Sequence, residues 1–305
     1  MEWLSGKIQQ RRSIGLSLTY KQQKRWLGFL FSLPALILLF TFLILPVGLA
    51  FVYSFMEYNM LNPDGKTFTG LNNYARLFQD AVFFTALKNT MYFSAVVVPL
   101  QCAVALGLAI LVNKKVKTAV IGRVFFFSPV VTSMVVVAIL WTFLYNVDSG
   151  LINSGLNFLG IPDQPFLLSE GQAMNSIIFM SVWQGAGFQM MIFLAGLKDV
   201  PETLYEAADI DGANAFQKFW NVTLPSLKNV TGFVLMITTI QAFRLFIQPY
   251  VMTNGGPSDS TKTLVFMLYE NGFQFRDVGY SSAIAVVFFL VVLTISLILK
   301  KVLKQ

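Results

Sequence analysis

Apolar residues gather along this chain into six long runs, at 28–55, 85–112, 119–145, 175–197, 230–250 and 279–299, separated by short polar stretches. About 20 residues of α-helix cross the ~30 Å hydrocarbon core of a bilayer, so each run is long enough to span it. The pattern predicts an all-α polytopic membrane protein with six transmembrane helices. Pro34 and Pro46 lie in the first run, which is expected to tilt or kink and still to count as one span. The polar breaks divide the chain into an N-terminal segment 1–27, a six-span domain 28–299 and a tail 300–305, with a polar insert at 199–225 between the fourth and fifth spans.

Composition agrees with a bilayer: 55% of residues are hydrophobic and 12% charged, against roughly a quarter charged in soluble domains. Lys and Arg are retained on the cytoplasmic side of membranes, and their placement orients the spans. With both termini inside, 16 of the 22 basic residues fall in cytoplasmic segments, among them Lys114, Lys115 and Lys117; five fall outside and Arg244 falls within the membrane. The segment 146–173 carries Asp148, Asp163 and Glu170 without a cation, as an external loop should. The net charge of +7 therefore reflects topology and contact with anionic lipid, not nucleic-acid binding. The first apolar run is too long for a signal-peptide core, so it is expected to be retained. The single cysteine, Cys102, says nothing about redox compartment, and the chain has no histidine, the commonest metal ligand and general base.

The insert 199–225 contains EAADIDGANAFQKFWNVTLP at 206–225. Asp199 and Glu202 have capping-box spacing around Pro201, predicting a helix with Asp199 as its N-cap. Gly212 suits the left-handed residue that ends such a helix, and Asn214 with Gln217 repeats the capping pattern to start a second. In that second helix Phe216, Phe219 and Trp220 share one face, expected to lie against the membrane interface or the ends of other spans. Ala207 and Ala208 leave the first helix slender, while Glu206 and Asp211 offer carboxylates to a basic partner. Capping and periodicity alone favour an amphipathic interfacial hairpin with solvated charges over a docking element.

The same stretch resembles the EAA loop of bacterial ABC-importer permeases, through Glu206-Ala207-Ala208, Gly212 and the Leu224-Pro225 end. Asp211-Gly212-Ala213 and Phe219 resemble the carbohydrate branch that includes the maltose, glycerol-3-phosphate and multiple-sugar permeases. The stretch from Tyr250 to Pro257, Thr263-Leu264-Val265, and Tyr269 with Phe273 extend the likeness toward the maltose F-type subunit. The extra N-terminal spans and large external insert of that subunit are absent, so the chain is closer to the compact six-span type. The resemblance implies a type I ABC importer permease architecture in which Glu206, Ala207, Ala208, Asp211 and Gly212 lie on a cytoplasmic coupling helix docked to an ATPase. It further implies a second related permease, two ATPase copies holding ATP and Mg, an extracytoplasmic solute-binding protein and a carbohydrate substrate. No cofactor or metal is expected on this chain itself.

Polar residues at membrane depth are costly; an Arg at a helix centre costs about 2.5–3.5 kcal/mol on insertion scales. Gln241, Arg244 and Gln248 fall on one stripe of the fifth span, with Phe243 and Phe246 beside it, and Ser181, Gln184 and Gly185 form a polar, slender patch on the fourth. Amides, a guanidinium and aromatic faces suit a sugar, and the resemblance places substrate contacts on these same two spans. Helix packing is the competing explanation for such residues, and a lone Arg also fits an acidic substrate such as glycerol 3-phosphate or a uronate. Trp26, Tyr53, Tyr58, Trp141 and Tyr145 sit near predicted span ends, as interfacial aromatics do.

No phosphate-binding loop of the form G-x-x-x-x-G-K-[ST] occurs, so energy must come from a partner or a gradient. A gradient-driven transporter would carry intramembrane carboxylates, and all 15 acidic residues fall in predicted loops or span edges. A membrane enzyme is disfavoured by the missing histidine and the lack of a clustered acid, base or nucleophile.

Overall fold

The computed structural model describes residues 20–113 and 117–303. Expectations placed on most of segment 1–27, on Lys114 and Lys115, and on the end of the tail lie outside the described residues. The chain divides into two compact units, Met1–Ala50 and Phe51–Gln305.

In the first unit, α1 (Tyr20–Leu39) passes through a π-helical turn at Phe40–Ile44 into α2 (Leu45–Tyr53). The expected irregularity takes this form because Pro46 has no N–H to give the Phe42 carbonyl; the Leu45 N–H reaches back to the Phe40 carbonyl, widening the turn. Pro34 stays within α1. The large apolar side chains here are exposed, Phe31 to 83% and Phe42 to 75%. Water would penalise such a surface and lipid does not.

The second unit opens with the one departure from an all-helical pattern among the described residues, an antiparallel hairpin of β1 (Met56–Asn59) and β2 (Asn62–Phe68) with Met56 opposite Phe68. α3 (Asn72–Leu77) follows, and Asn73 Nδ2 donates to the Ser54 carbonyl at 3.0 Å and the Met56 carbonyl at 2.9 Å, satisfying backbone where the hairpin leaves the preceding helix. The second span is α4 (Ala81–Val112), capped by Asp80, whose carboxylate accepts from the Val82 N–H.

The third run does not form one continuous helix. It breaks into α5 (Lys117–Val131) and α6 (Met134–Leu144), bent by 98°. Pro129 removes one donor from the last turn of α5, and Ser133 is extended (φ −54°, ψ 131°), so the helical ladder stops and restarts. Among the described residues five helices are therefore long and apolar enough to cross a membrane, and six spans result when the bent pair counts as one. α7 (Leu151–Phe158) lies in the loop that follows, and α8 (Glu170–Lys198) is the fourth span.

α9 (Glu202–Ile210) and α10 (Ala215–Lys218) form the polar insert, continuing through a π-turn at Phe219–Thr223 to α11 (Leu224–Ser226). The fifth span is also interrupted, into α12 (Lys228–Phe243) and α13 (Ile247–Met252), before α14 (Leu264–Tyr269) and the sixth span, α15 (Val278–Val302). Pro249 cannot donate to the Leu245 carbonyl, and the Thr263 hydroxyl fills that place at 2.6 Å.

α4 and α8 form the centre of this unit, burying Phe93, Val97, Ala105 and Ala109 against Ile177, Met190 and Phe193. A Cβ built on Gly187 would lie 2.2 Å from the Phe126 carbonyl oxygen, so α8 admits the α5 backbone only because this residue has no side chain. Trp141 and Tyr145 belong to the same core, 7% and 4% exposed, with the Tyr145 hydroxyl on the Ser176 carbonyl. The interfacial role expected for them is thus replaced by packing, since the α5–α6 bend turns α6 onto α8. A second cluster joins Leu77, Phe83, Leu264, Met267, Tyr280 and Ile284, making the segment before α15 a packed element and not an open loop.

Candidate functional site

The two breaks in the spans converge on one cavity of about 370 Å³. Such a volume falls within the roughly 300–1,000 Å³ common to small-molecule sites. α4 contributes Phe93, Val97 and Gln101, at the four-residue spacing of one helix face. α8 contributes Ser181, Gln184, Gly185 and Phe188, again one face. The α5–α6 break supplies Val130 and Met134. The fifth span supplies Thr238, Gln241, Ala242, Arg244, Leu245 and Gln248. All six residues singled out as substrate candidates therefore line the same space.

They do so by a different route from the one the sequence suggested. A continuous stripe through Gln241, Arg244 and Gln248 requires an unbroken helix, but the ladder ends at Phe243 and Arg244 is the C-cap of α12. Irregular backbone is tolerated at membrane depth where it lines a cavity, and here the break itself exposes Arg244. The aromatics expected beside the stripe are elsewhere: Phe243 is buried, and Phe246 packs with Tyr250, Phe266 and Tyr269. Phe93 and Phe188 take their place in the cavity wall.

The polar groups of the wall are unevenly satisfied. Gln184 Nε2 donates to the Pro129 carbonyl at 3.4 Å, in the turn where α5 gives out. Gln189 Nε2 donates to Thr238 Oγ1 at 3.2 Å, tying α8 to α12 behind the cavity. Ser181 Oγ is buried with no hydrogen-bond partner, and the exposed Arg244 guanidinium has neither a hydrogen bond nor an ion pair among the described residues. A buried hydroxyl left open costs about 1–3 kcal/mol. Gly185 sets the width: a Cβ there would lie 2.4 Å from Gln101 Nε2.

Gln101 and Thr238 were not among the residues singled out from the sequence. An amide in the middle of the apolar run around Gln101 is the same kind of signal that marks Arg244, and applying the rule evenly would have found it.

The polar insert forms a second candidate surface. The predicted end of its first helix is present: Gly212 has φ +73°, the Ala213 N–H bonds to the Ala208 carbonyl and the Gly212 N–H to the Asp209 carbonyl, a Schellman motif. Asn214 and Gln217 form the predicted capping box. The expected start is different. Asp199 closes α8 as its C-cap, and α9 begins after Pro201 with no side-chain cap. Lys218 pairs with Asp209, and the hydroxyls of Tyr205 and Thr223 bond at 3.0 Å, fastening α9 to the returning chain. Glu206, Ala207, Asp211 and Gly212 are exposed and Ala208 is half-buried. Ile210, 88% exposed, adds an apolar tip that the sequence reading passed over. Phe216 and Trp220 also stand exposed on one face.

A family model described as binding-protein-dependent transport system inner membrane component matches residues 101–305. The chain is 37% identical over 278 residues to the arabinooligosaccharides transport system permease protein AraP of Bacillus subtilis, covering 90% of this chain and 88% of the relative. It is 35% identical over 285 residues to the trehalose/maltose transport system permease protein MalF of Thermococcus litoralis, covering 93% and 95%. Among solved structures, it superposes with a TM-score of 0.81 on a chain of a bacterial ABC transporter involved in the import of the acidic polysaccharide alginate. That match covers 92% of this chain and 96% of the other at 23% identity, a likeness of fold.

Proposed function

The chain belongs to the family of binding-protein-dependent transport system inner membrane components, and from that premise we propose that it carries a sugar or oligosaccharide through the cavity between α4, α8 and α12, driven by ATP hydrolysed on a separate subunit. It is a multi-pass permease of the ABC importer fold. The observation that carries the proposal is the cavity wall, where amides, hydroxyls and a guanidinium alternate with Phe93 and Phe188. Sugar hydroxyls need both donors and acceptors, and the less polar faces of a sugar ring pack on aromatic carbon. Relatives named for arabinooligosaccharides and for trehalose and maltose support the same class.

In this reading both termini are cytoplasmic and the 199–225 insert faces the cytosol. Glu206, Ala207, Ala208, Asp211 and Gly212 dock in a groove of the ATPase, Glu206 facing a basic residue there. The Schellman turn, the capping box and the Lys218–Asp209 pair hold the peg stiff enough to transmit displacement. Closure of two ATPase copies on ATP and Mg turns the cavity outward to receive substrate from the solute-binding protein, and hydrolysis resets it inward. A second homologous permease completes the pathway.

The test is reconstitution of the assembly in proteoliposomes with a panel of saccharides. Sugar-stimulated ATP hydrolysis and uptake that vanishes with an ATPase-dead partner are the expected results. Uptake by this chain alone, following an imposed proton gradient, would overturn the proposal.

A further inference from the structure

We propose that the saccharide accepted by this cavity carries an anionic group, and that Arg244 binds it. The inference rests on the transport reading above and narrows its substrate class.

Three other cations of the fold are held by internal partners. Arg76 pairs with Asp277 at 2.8 Å, Arg123 donates twice to the Val112 carbonyl at 3.1 and 2.8 Å, and Lys262 lies between Asp259 and Glu270 at 2.9 and 3.0 Å. Arg244 alone faces the cavity, and among the described residues it has no such partner. No Asp or Glu lines the cavity, and α4, α5, α6, α12, α13 and α15 contain none at all; α8 has only Glu170, in its first turn.

The cavity therefore holds one fixed positive charge and no internal counter-ion. A guanidinium matches a carboxylate, phosphate or sulfonate with two parallel hydrogen bonds, and that pairing is roughly twice as strong as one between neutral groups. A neutral sugar would occupy the amides and leave the charge uncompensated. Gln101, Gln184 and Gln241 remain for the hydroxyls of the ring.

The competing role is structural. Arg244 caps the C-terminal end of α12, where a cation offsets the helix dipole. That role predicts a loss of thermal stability on substitution and no charge preference in binding.

The deciding experiment measures binding of small probes to the transmembrane assembly in nanodiscs, without the solute-binding protein. Digalacturonate is compared with its dimethyl ester, and glucose 6-phosphate with glucose. The wild type is expected to bind one of the anionic probes at least ~10-fold more tightly than its uncharged counterpart. R244Q should erase that preference and R244K should keep part of it. The two anionic probes distinguish a carboxylate from a phosphate. Because the wild-type comparison needs no variant, misfolding of R244Q cannot mask the result. Equal binding of charged and uncharged members of both pairs, or an R244Q protein that melts earlier yet keeps the preference, would overturn the proposal while leaving sugar transport standing. Failure of every saccharide, charged or neutral, to bind would overturn the transport reading and this inference together.

Discussion

The polar insert between α8 and α12 and the cavity wall between α4, α8 and α12 are both polar regions of a greasy protein, but they satisfy their polar groups in opposite ways. In the insert most devices are local: the Gly212 turn closes on carbonyls at 208 and 209, Asn214 and Gln217 cap each other, and Lys218 reaches Asp209 nine residues back, with only the Tyr205–Thr223 bond spanning 18 residues. In the wall the side-chain bonds are distant in sequence, such as Gln184 to Pro129 and Gln189 to Thr238, and the side chains of Ser181 and Arg244 have none among the described residues. In the transport reading the first is a stiffened surface for a partner to grip and the second a space completed by its substrate.

The contrast breaks most visibly at Glu206, which the docking reading makes a contact with the ATPase. Glu206→Lys should leave membrane insertion intact and weaken ATPase recruitment at least ~30-fold, as expected when one charge of a close interfacial pair, worth about 2–5 kcal/mol, is reversed. Co-purification of the ATPase with the variant checks this, and normal recruitment with normal uptake counts against docking. Next in size is Gly187→Ala, outside both regions, which forces a methyl onto the Phe126 carbonyl and should destabilise the unit by about 1–3 kcal/mol in thermal unfolding. An unchanged melting temperature would show that α5 can move away freely.

The last two predictions separate the regions. Asn214→Ala removes a cap and should cost about 1 kcal/mol of local stability, read as faster hydrogen exchange in α10, without altering sugar affinity. Ser181→Ala removes a buried hydroxyl with no partner. It should raise stability by about 1–3 kcal/mol, the cost of leaving that group open, while raising KM for uptake a few-fold, because in the transport reading the bound sugar uses that oxygen. A drop in stability with unaltered KM would place Ser181 among packing residues.

Much of the fold was legible because bilayer solvation writes itself into runs of apolar residues. Five spans appear close to where the hydropathy put them, and the left-handed Gly212 and the Asn214–Gln217 box follow from local backbone chemistry. The failures share a cause. Asp199 and Glu202 satisfied the capping pattern, yet α8 extends to Lys198 and uses Asp199 as its own end. Trp141 and Tyr145 stood at a span end by counting, but the 98° bend turns α6 inward. The hairpin at 56–68 escaped notice because its strands are short and polar.

By itself the sequence determined that this protein is a multi-pass membrane protein, where its long apolar helices lie, where the polar insert turns at Gly212, and which polar side chains fall within apolar runs. Local propensity and transfer free energy act residue by residue, so they can be read residue by residue. Only the tertiary structure decided that Ser181, Gln184, Gly185, Gln241, Arg244 and Gln248 share one space with Gln101 and Thr238. Their meeting depends on two interrupted spans, whose freed carbonyls at Pro129 and Leu245 are satisfied by Gln184 and Thr263 from 55 and 18 residues away. Pairing at that range is settled by packing, which no window along the chain contains.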